Sequence, residues 1–217
     1  MTSDPRTFRN SPRDGEEVHP SVLSRREVIR ATTAGLIAVA GSSLVPRTAD
    51  AQTTRNNLGK VLIAYFSRTG NTRAVAEQIH AVVPGDLFEI RTHAYPEAYR
   101  ATTDQAKREQ EENARPPLTA DVVAIERYDT VFLGFPNWWA TMPMVFFTFL
   151  ELHRLAEKTI VPFCTHEGSR LGQSISDIER LCPNATLLDG LALRGGGSGY
   201  VQSEAGHREI ADWLRRL

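Results

Sequence analysis

From residue 61 to the C-terminus, short apolar runs alternate with segments of helical periodicity, and this alternation restricts the fold more than any single residue does. Residues 61–66 form an unbroken apolar run, the pattern of a strand buried on both faces of a parallel sheet. A helical pattern over 71–83 follows at once. The order then recurs: a strand at 87–90 and a polar helix at 97–114 that stops before Pro116 and Pro117, a strand at 130–135 and an apolar helix at 142–155. A strand at 159–164 precedes a helix at 172–181, and a strand at 186–193 precedes a last helix at 203–217. Such alternation predicts an α/β domain with a doubly wound, five-stranded parallel sheet, right-handed crossovers and helices on both faces. No internal repeat and no second domain is expected.

The first fifty residues read as an address rather than as part of that domain. Ser24, Arg25, Arg26, Glu27, Val28, Ile29 and Arg30 match the twin-arginine pattern, a weakly apolar stretch over 31–45 follows, and Ala49, Asp50, Ala51 supply a small-x-small cleavage site. Residues 1–51 are therefore expected to be a twin-arginine signal peptide, 52–59 a short linker and 60–217 the folded domain. That signal implies recognition by the twin-arginine export machinery and a periplasmic or otherwise exported location, reached after folding in the cytoplasm. A cofactor held noncovalently survives such a trip.

Several function classes fall away on composition. No run approaches the roughly 18 apolar residues of a membrane span, so no permanent membrane anchor is expected. With a net charge of −1 and no basic block interleaved with aromatics, nucleic acid is a poor partner. Cys164 and Cys182 are too few for a zinc ribbon or a C-x-x-C pair, and no metal site is expected; whether the two pair after export stays open. His80, His153 and His207 lie on predicted helices and are assigned to the surface; residues 194–199, rich in glycine, are read as a connector, with a substrate lid as the alternative, and Tyr95, Pro96 and the 97–114 helix are expected to help shape the rim of a site.

In an open α/β sheet, ligands bind beyond the carboxyl ends of the strands, where the strand order reverses. Three loops fall there. Ser67, Arg68, Thr69, Gly70, Asn71 and Thr72 surround the start of the first helix with hydroxyl and N–H donors, which describes a phosphate cradle. The loop lacks a P-loop lysine, which disfavours nucleotide hydrolysis, and a plain N-cap turn is the alternative. The second loop holds Pro136, Asn137, Trp138, Trp139 and Ala140, where adjacent tryptophans stiffened by prolines suit a planar ring, one of them serving the following helix instead. The third, Thr165, His166, Glu167 and Gly168, lets backbone approach a ligand edge. His166 and Glu167 have no H-E-x-x-H context, so no residue is assigned a catalytic or metal role.

The segments A-Y-F-S-R-T-G-N-T, G-F-P-N-W-W-A-T-M-P and P-F-C-T-H-E-G-S-R-L-G-Q-S, followed by L-C-P-N-A, resemble the flavodoxin family, specifically its subgroup with a paired-tryptophan loop, over residues 60–217. The resemblance implies a flavodoxin-like sheet of order 2-1-3-4-5 and FMN with its phosphate in the Ser67–Thr72 loop and its ring between the Trp138 and His166 loops. It also implies that the flavin, not a protein side chain, carries the redox chemistry. Asn137, Ala140, Glu167 and Arg170 depart from the family pattern of one aliphatic residue and three glycines, and Glu167 and Arg170 are expected to pair at the mouth of the site. The weakly acidic domain differs from strongly acidic shuttle flavodoxins. Three readings follow: an electron carrier serving a redox partner protein, an FMN-dependent oxidoreductase acting on a quinone or nicotinamide substrate, and a binding module that keeps the fold without the flavin.

Overall fold

The computed structural model describes residues 58–195, 197 and 199–217. The twin-arginine motif, the cleavage site, most of the linker, Gly196 and Ser198 lie outside the described residues.

Among the described residues eleven α-helices and β-strands run in strict alternation until the fifth strand: β1 (Val61–Tyr65), α1 (Asn71–Val82), β2 (Asp86–Glu89), α2 (Tyr99–Glu111), β3 (Thr130–Pro136), α3 (Met144–His153), β4 (Thr159–His166), α4 (Ser174–Leu181), β5 (Thr186–Leu187), β6 (Leu191–Arg194) and α5 (Glu204–Leu214). All strand pairs are parallel, and the sheet order is β2-β1-β3-β4-β5, the order expected of a flavodoxin-like fold. In place of the single fifth strand expected over 186–193, β5 and β6 pair with β4 in succession. Ile160 faces this edge, since its carbonyl accepts from Leu188 N–H at 2.9 Å, so Pro162, two residues on, faces it too and has no N–H to offer. The ladder breaks there, and Gly190 crosses at the break, where a Cβ would lie 3.0 Å from Pro162 Cγ.

Side-chain alternation along the strands divides the core into two layers. Leu62, Ala64, Leu133 and Phe135 pack with Phe146, Phe149, Leu150 and Ile178 of α3 and α4. Ile63, Tyr65, Phe132 and Phe163 pack on the other face with Val75, Ile79, Ile210 and Trp213 of α1 and α5. Helix α3 starts at Met144, after Pro143 at its N-cap, rather than at Met142, and it is buried on most of its circumference. That burial overturns one surface assignment. His80 and His207 are exposed, but His153 is buried, its ring 4.4 Å from Phe149 one turn earlier and its Nε2 3.0 Å from Asp121 Oδ1. Among the described residues no helix is long and apolar enough to cross a membrane.

Candidate functional site

The carboxyl ends of β1, β3 and β4 open on a crevice of about 140 Å³. Its floor at β1 is the start of α1. Gly70 caps this helix in a left-handed conformation, φ 88°, and no side chain caps it. The first bond of the helix runs from Ala74 N–H to Gly70 carbonyl at 2.9 Å, so the N–H groups of Asn71, Thr72 and Arg73 have no helical acceptor and stand at the positive end of the dipole. Ser67 Oγ accepts the Gly70 N–H at 3.1 Å, which shapes the turn.

Long-range hydrogen bonds hold that turn against the other loops. The Thr72 and Thr165 hydroxyls lie 2.8 Å apart and buried; because a hydroxyl both donates and accepts, one hydrogen of the pair remains for a ligand. Asn71 Nδ2 donates to Gly195 carbonyl at 2.5 Å and to Thr69 Oγ1 at 3.3 Å. Arg68 turns away from the cradle. Its Nε donates to Thr102 Oγ1 at 3.3 Å, its guanidinium donates to the Glu97 carbonyl, and it lies over the Tyr99 ring at 5.8 Å.

The β3 loop divides the labour of its two tryptophans. Trp138 lines the crevice and packs edge-on against Tyr95 and Phe66, with ring centroids 5.0 and 5.6 Å away. Trp139 points outward, is 52% exposed, and donates its indole N–H to Thr103 carbonyl at 2.9 Å. Between them the chain reverses in two residues: Trp138 and Thr141 exchange both backbone bonds, while Trp139 and Ala140 take φ of 52° and 70°. These are the angles of a hairpin turn that ordinarily takes Asn-Gly, so two side chains sit where glycine is favoured. Ala140 carbonyl accepts from Gln173 N–H at 2.7 Å, and Trp138 carbonyl accepts from Gln110 Nε2 at 2.8 Å.

Two polar atoms at the crevice are buried without a partner, Asn137 Oδ1 and His166 Nδ1. The Asn137 amide is oriented by donation to Arg170 carbonyl at 2.7 Å, which directs Oδ1 the other way. Burial, reinforced by Arg170 and Arg194, lowers the His166 pKa against the opposing pull of the Ala192 backbone and Glu167. The expected Glu167–Arg170 ion pair is not formed among the described contacts. Arg170 adopts φ 52° and turns its carbonyl inward to accept from Asn137 and from Cys164 Sγ, and Glu167 carbonyl instead accepts from Arg194 at 3.4 Å. Cys164 and Cys182 are both buried and free, and burial pushes the Cys164 thiol up to about 12.

Arg68, Thr69, Asn71, Thr72, Pro136, Asn137, Trp138, Thr165, His166 and Glu167 thus converge on one crevice, whereas Ser67, Gly70, Trp139, Ala140 and Gly168 shape its walls without lining it. Gly195, Tyr99 and Thr103 also line it; none was named as a site residue from the sequence, although the 97–114 helix was expected to shape the rim. Gly195 belongs to the glycine run read as a connector; its N–H donates to His166 carbonyl at 3.0 Å, and a Cβ there would come within 2.8 Å of Thr165 Cβ. The four-residue spacing of Tyr99 and Thr103 was the available signal for the other two.

The family model described as Flavodoxin matches residues 60–214. This chain belongs to the flavodoxin family. Among solved structures it is similar to a protein from Bacteroides eggerthii assigned as a flavoprotein, at 32% identity and TM-score 0.62 over 73% of this chain and 97% of that one. A like assignment from Bacteroides uniformis aligns at 28% identity and TM-score 0.63, over 72% and 98% of the two chains. A Lactobacillus acidophilus flavoprotein solved in complex with FMN shares the fold at 22% identity and TM-score 0.55, over 66% and 97%. No curated protein matches the chain. In this flavodoxin-family domain, the crevice makes three separate demands on a ligand: an anion for the bare end of α1, a hydrogen-bond donor for Asn137 Oδ1, and a flat apolar surface for Trp138.

Proposed function

We propose that the domain binds FMN noncovalently and transfers electrons, after export by the twin-arginine route. One observation carries the cofactor reading: the uncapped α1 terminus, the orphaned Asn137 Oδ1 and Trp138 share one crevice. FMN joins an anionic phosphate to a planar ring with its own N–H, and so answers all three demands. The N–H groups of Asn71 and Thr72, with the Thr69 hydroxyl, would hold the phosphate; Asn137, Trp138, His166 and Gly195 would hold the ring. When bound, the isoalloxazine supplies the electron chemistry. The chain's own work is to anchor, orient and partly dry the ring, and to present neutral His166 rather than a cation beside it.

Titration of the flavin-free protein with FMN and with riboflavin tests the cradle, because riboflavin lacks only the phosphate. Charge-assisted hydrogen bonds contribute roughly 1.5–3 kcal/mol each, so riboflavin should bind about 100-fold or more weakly. Equal affinities, or no binding of either, would overturn the proposal. Export is tested by changing Arg25 and Arg26 together to lysine: the protein should then stay in the cytoplasmic fraction, and undiminished export would sink that part.

A second reading, an FMN-dependent NAD(P)H or quinone oxidoreductase, draws support from Tyr99 and Thr103, which give the crevice a third wall on α2. Steady-state quinone reduction with NADH or NADPH as sole donor separates it from a carrier that needs a redox partner protein.

A further inference from the structure

Helix α2 presents a stripe that the cofactor does not account for. Tyr99, Thr103 and Lys107 follow one another at four-residue spacing and so lie on one face. Tyr99 and Thr103 line the crevice, and Trp139 leans onto the same stripe through its bond to Thr103 carbonyl. Tyr99 is 68% and Trp139 52% exposed, although aromatic rings of this size are ordinarily covered. Each carries a cation over its face: Arg68 over Tyr99 at 5.8 Å and Lys107 over Trp139 at 5.4 Å.

The charge of this wall is poorly compensated. Among the described ion pairs Arg68 has none, being tied instead to a backbone carbonyl and a hydroxyl, and Lys107 has only Glu111 at 3.8 Å, with both side chains exposed. Opposite, Arg170 and Arg194 are exposed, and Glu167 is the single carboxylate among the described lining residues. Two exposed rings, each bearing a cation, beside a crevice short of carboxylates form a surface that attracts a flat anion: the rings supply stacking area and the cations fix the sign.

We infer that the α2 wall, Tyr99, Thr103, Lys107 and Trp139 with Arg68, is a subsite for a planar aromatic compound bearing a negative charge, held beside the FMN of the function proposed above, on which this inference rests. The subsite selects by charge as well as by shape. Hinged loops are not needed, because α2 is tied to the β1 and β3 loops by Arg68, by Gln110 and by the Trp139 indole.

The test uses FMN-loaded protein titrated calorimetrically with anthraquinone-2-sulfonate and with neutral 2-(hydroxymethyl)anthraquinone. Failure to load FMN removes both proposals, whereas loading followed by equal binding of the two compounds removes only this one. The sulfonate is expected to bind at least roughly fivefold more tightly in dilute buffer, with the preference shrinking as salt screens the two cations. Lys107→Gln should reduce the preference about twofold and leave FMN affinity unchanged, and Tyr99→Leu should weaken both compounds. A preference untouched by Lys107→Gln, or no saturable binding of either compound, which would leave the wall to a macromolecular partner, overturns the inference.

Discussion

Replacing Gly172 with alanine tests how the reversal at Trp139 and Ala140 is held. Gly172 has φ +54°, and a Cβ built on it would fall on the Ala140 carbonyl oxygen and 2.8 Å from the carbonyl carbon. Both obstacles are backbone atoms, so no side-chain rotation relieves them. The left-handed conformation costs an alanine roughly 1–2 kcal/mol relative to glycine. Displacing the Ala140 carbonyl adds about 1–3 kcal/mol of overpacking, and it stretches the 2.7 Å bond from Gln173 N–H, for about 1 kcal/mol more. Against these, alanine restricts the unfolded chain and returns roughly 0.4–1 kcal/mol. The expected net loss is about 2–5 kcal/mol, or a fall in Tm of roughly 5–15 °C for a domain of this size. Urea and thermal unfolding of protein beginning at residue 52 would measure it. Ala140→Gly has the opposite sign: it relieves an alanine at φ 70° and is expected to gain up to about 1 kcal/mol. Because a glycine at that position would let the carbonyl move aside, the double variant should recover part of the loss, a coupling that adjacent sites show and distant ones do not. A Gly172→Ala protein within about 1 kcal/mol of the parent would refute the reasoning.

Further outcomes follow from buried polar groups. Thr72→Val leaves the Thr165 hydroxyl unpaired in a buried position and should cost about 1–3 kcal/mol, while the Thr72→Val, Thr165→Val double variant costs less than the sum; additive losses by urea unfolding would show that the pair is not a unit. Burial holds His153 below its ordinary pKa of 6.5, against the pull of Asp121. A depressed histidine is neutral in both states well above 6.5, and as the pH falls through that value the unfolded chain takes up a proton that the folded one refuses. Stability should therefore decline on acidification below 6.5, and His153→Leu should flatten the decline in part, since His166 is shifted the same way; superimposable pH profiles of parent and variant would count against it.

What could be read from the chain alone was whatever depends on neighbours in sequence. Unbroken apolar runs and period-3.6 patterns located the first four strands and the five α-helices, because each element buries a face that its own spacing defines. The loops at the ends of β1, β3 and β4 were legible for the same reason: hydroxyls before a helix and paired tryptophans between prolines are local signals. The misses came from contacts made across the sheet. Pro162 broke the fifth strand by withholding an N–H from residues far along the chain, and α3 drew His153 into the core. Asn71 and His166 pulled Gly195 into the crevice, and only packing decided that Trp138 faces the ligand side while Trp139 turns to α2. A side chain's type and its neighbours set which interactions it can make; which of them it does make is decided when distant segments meet and compete for the same donors and the same buried space.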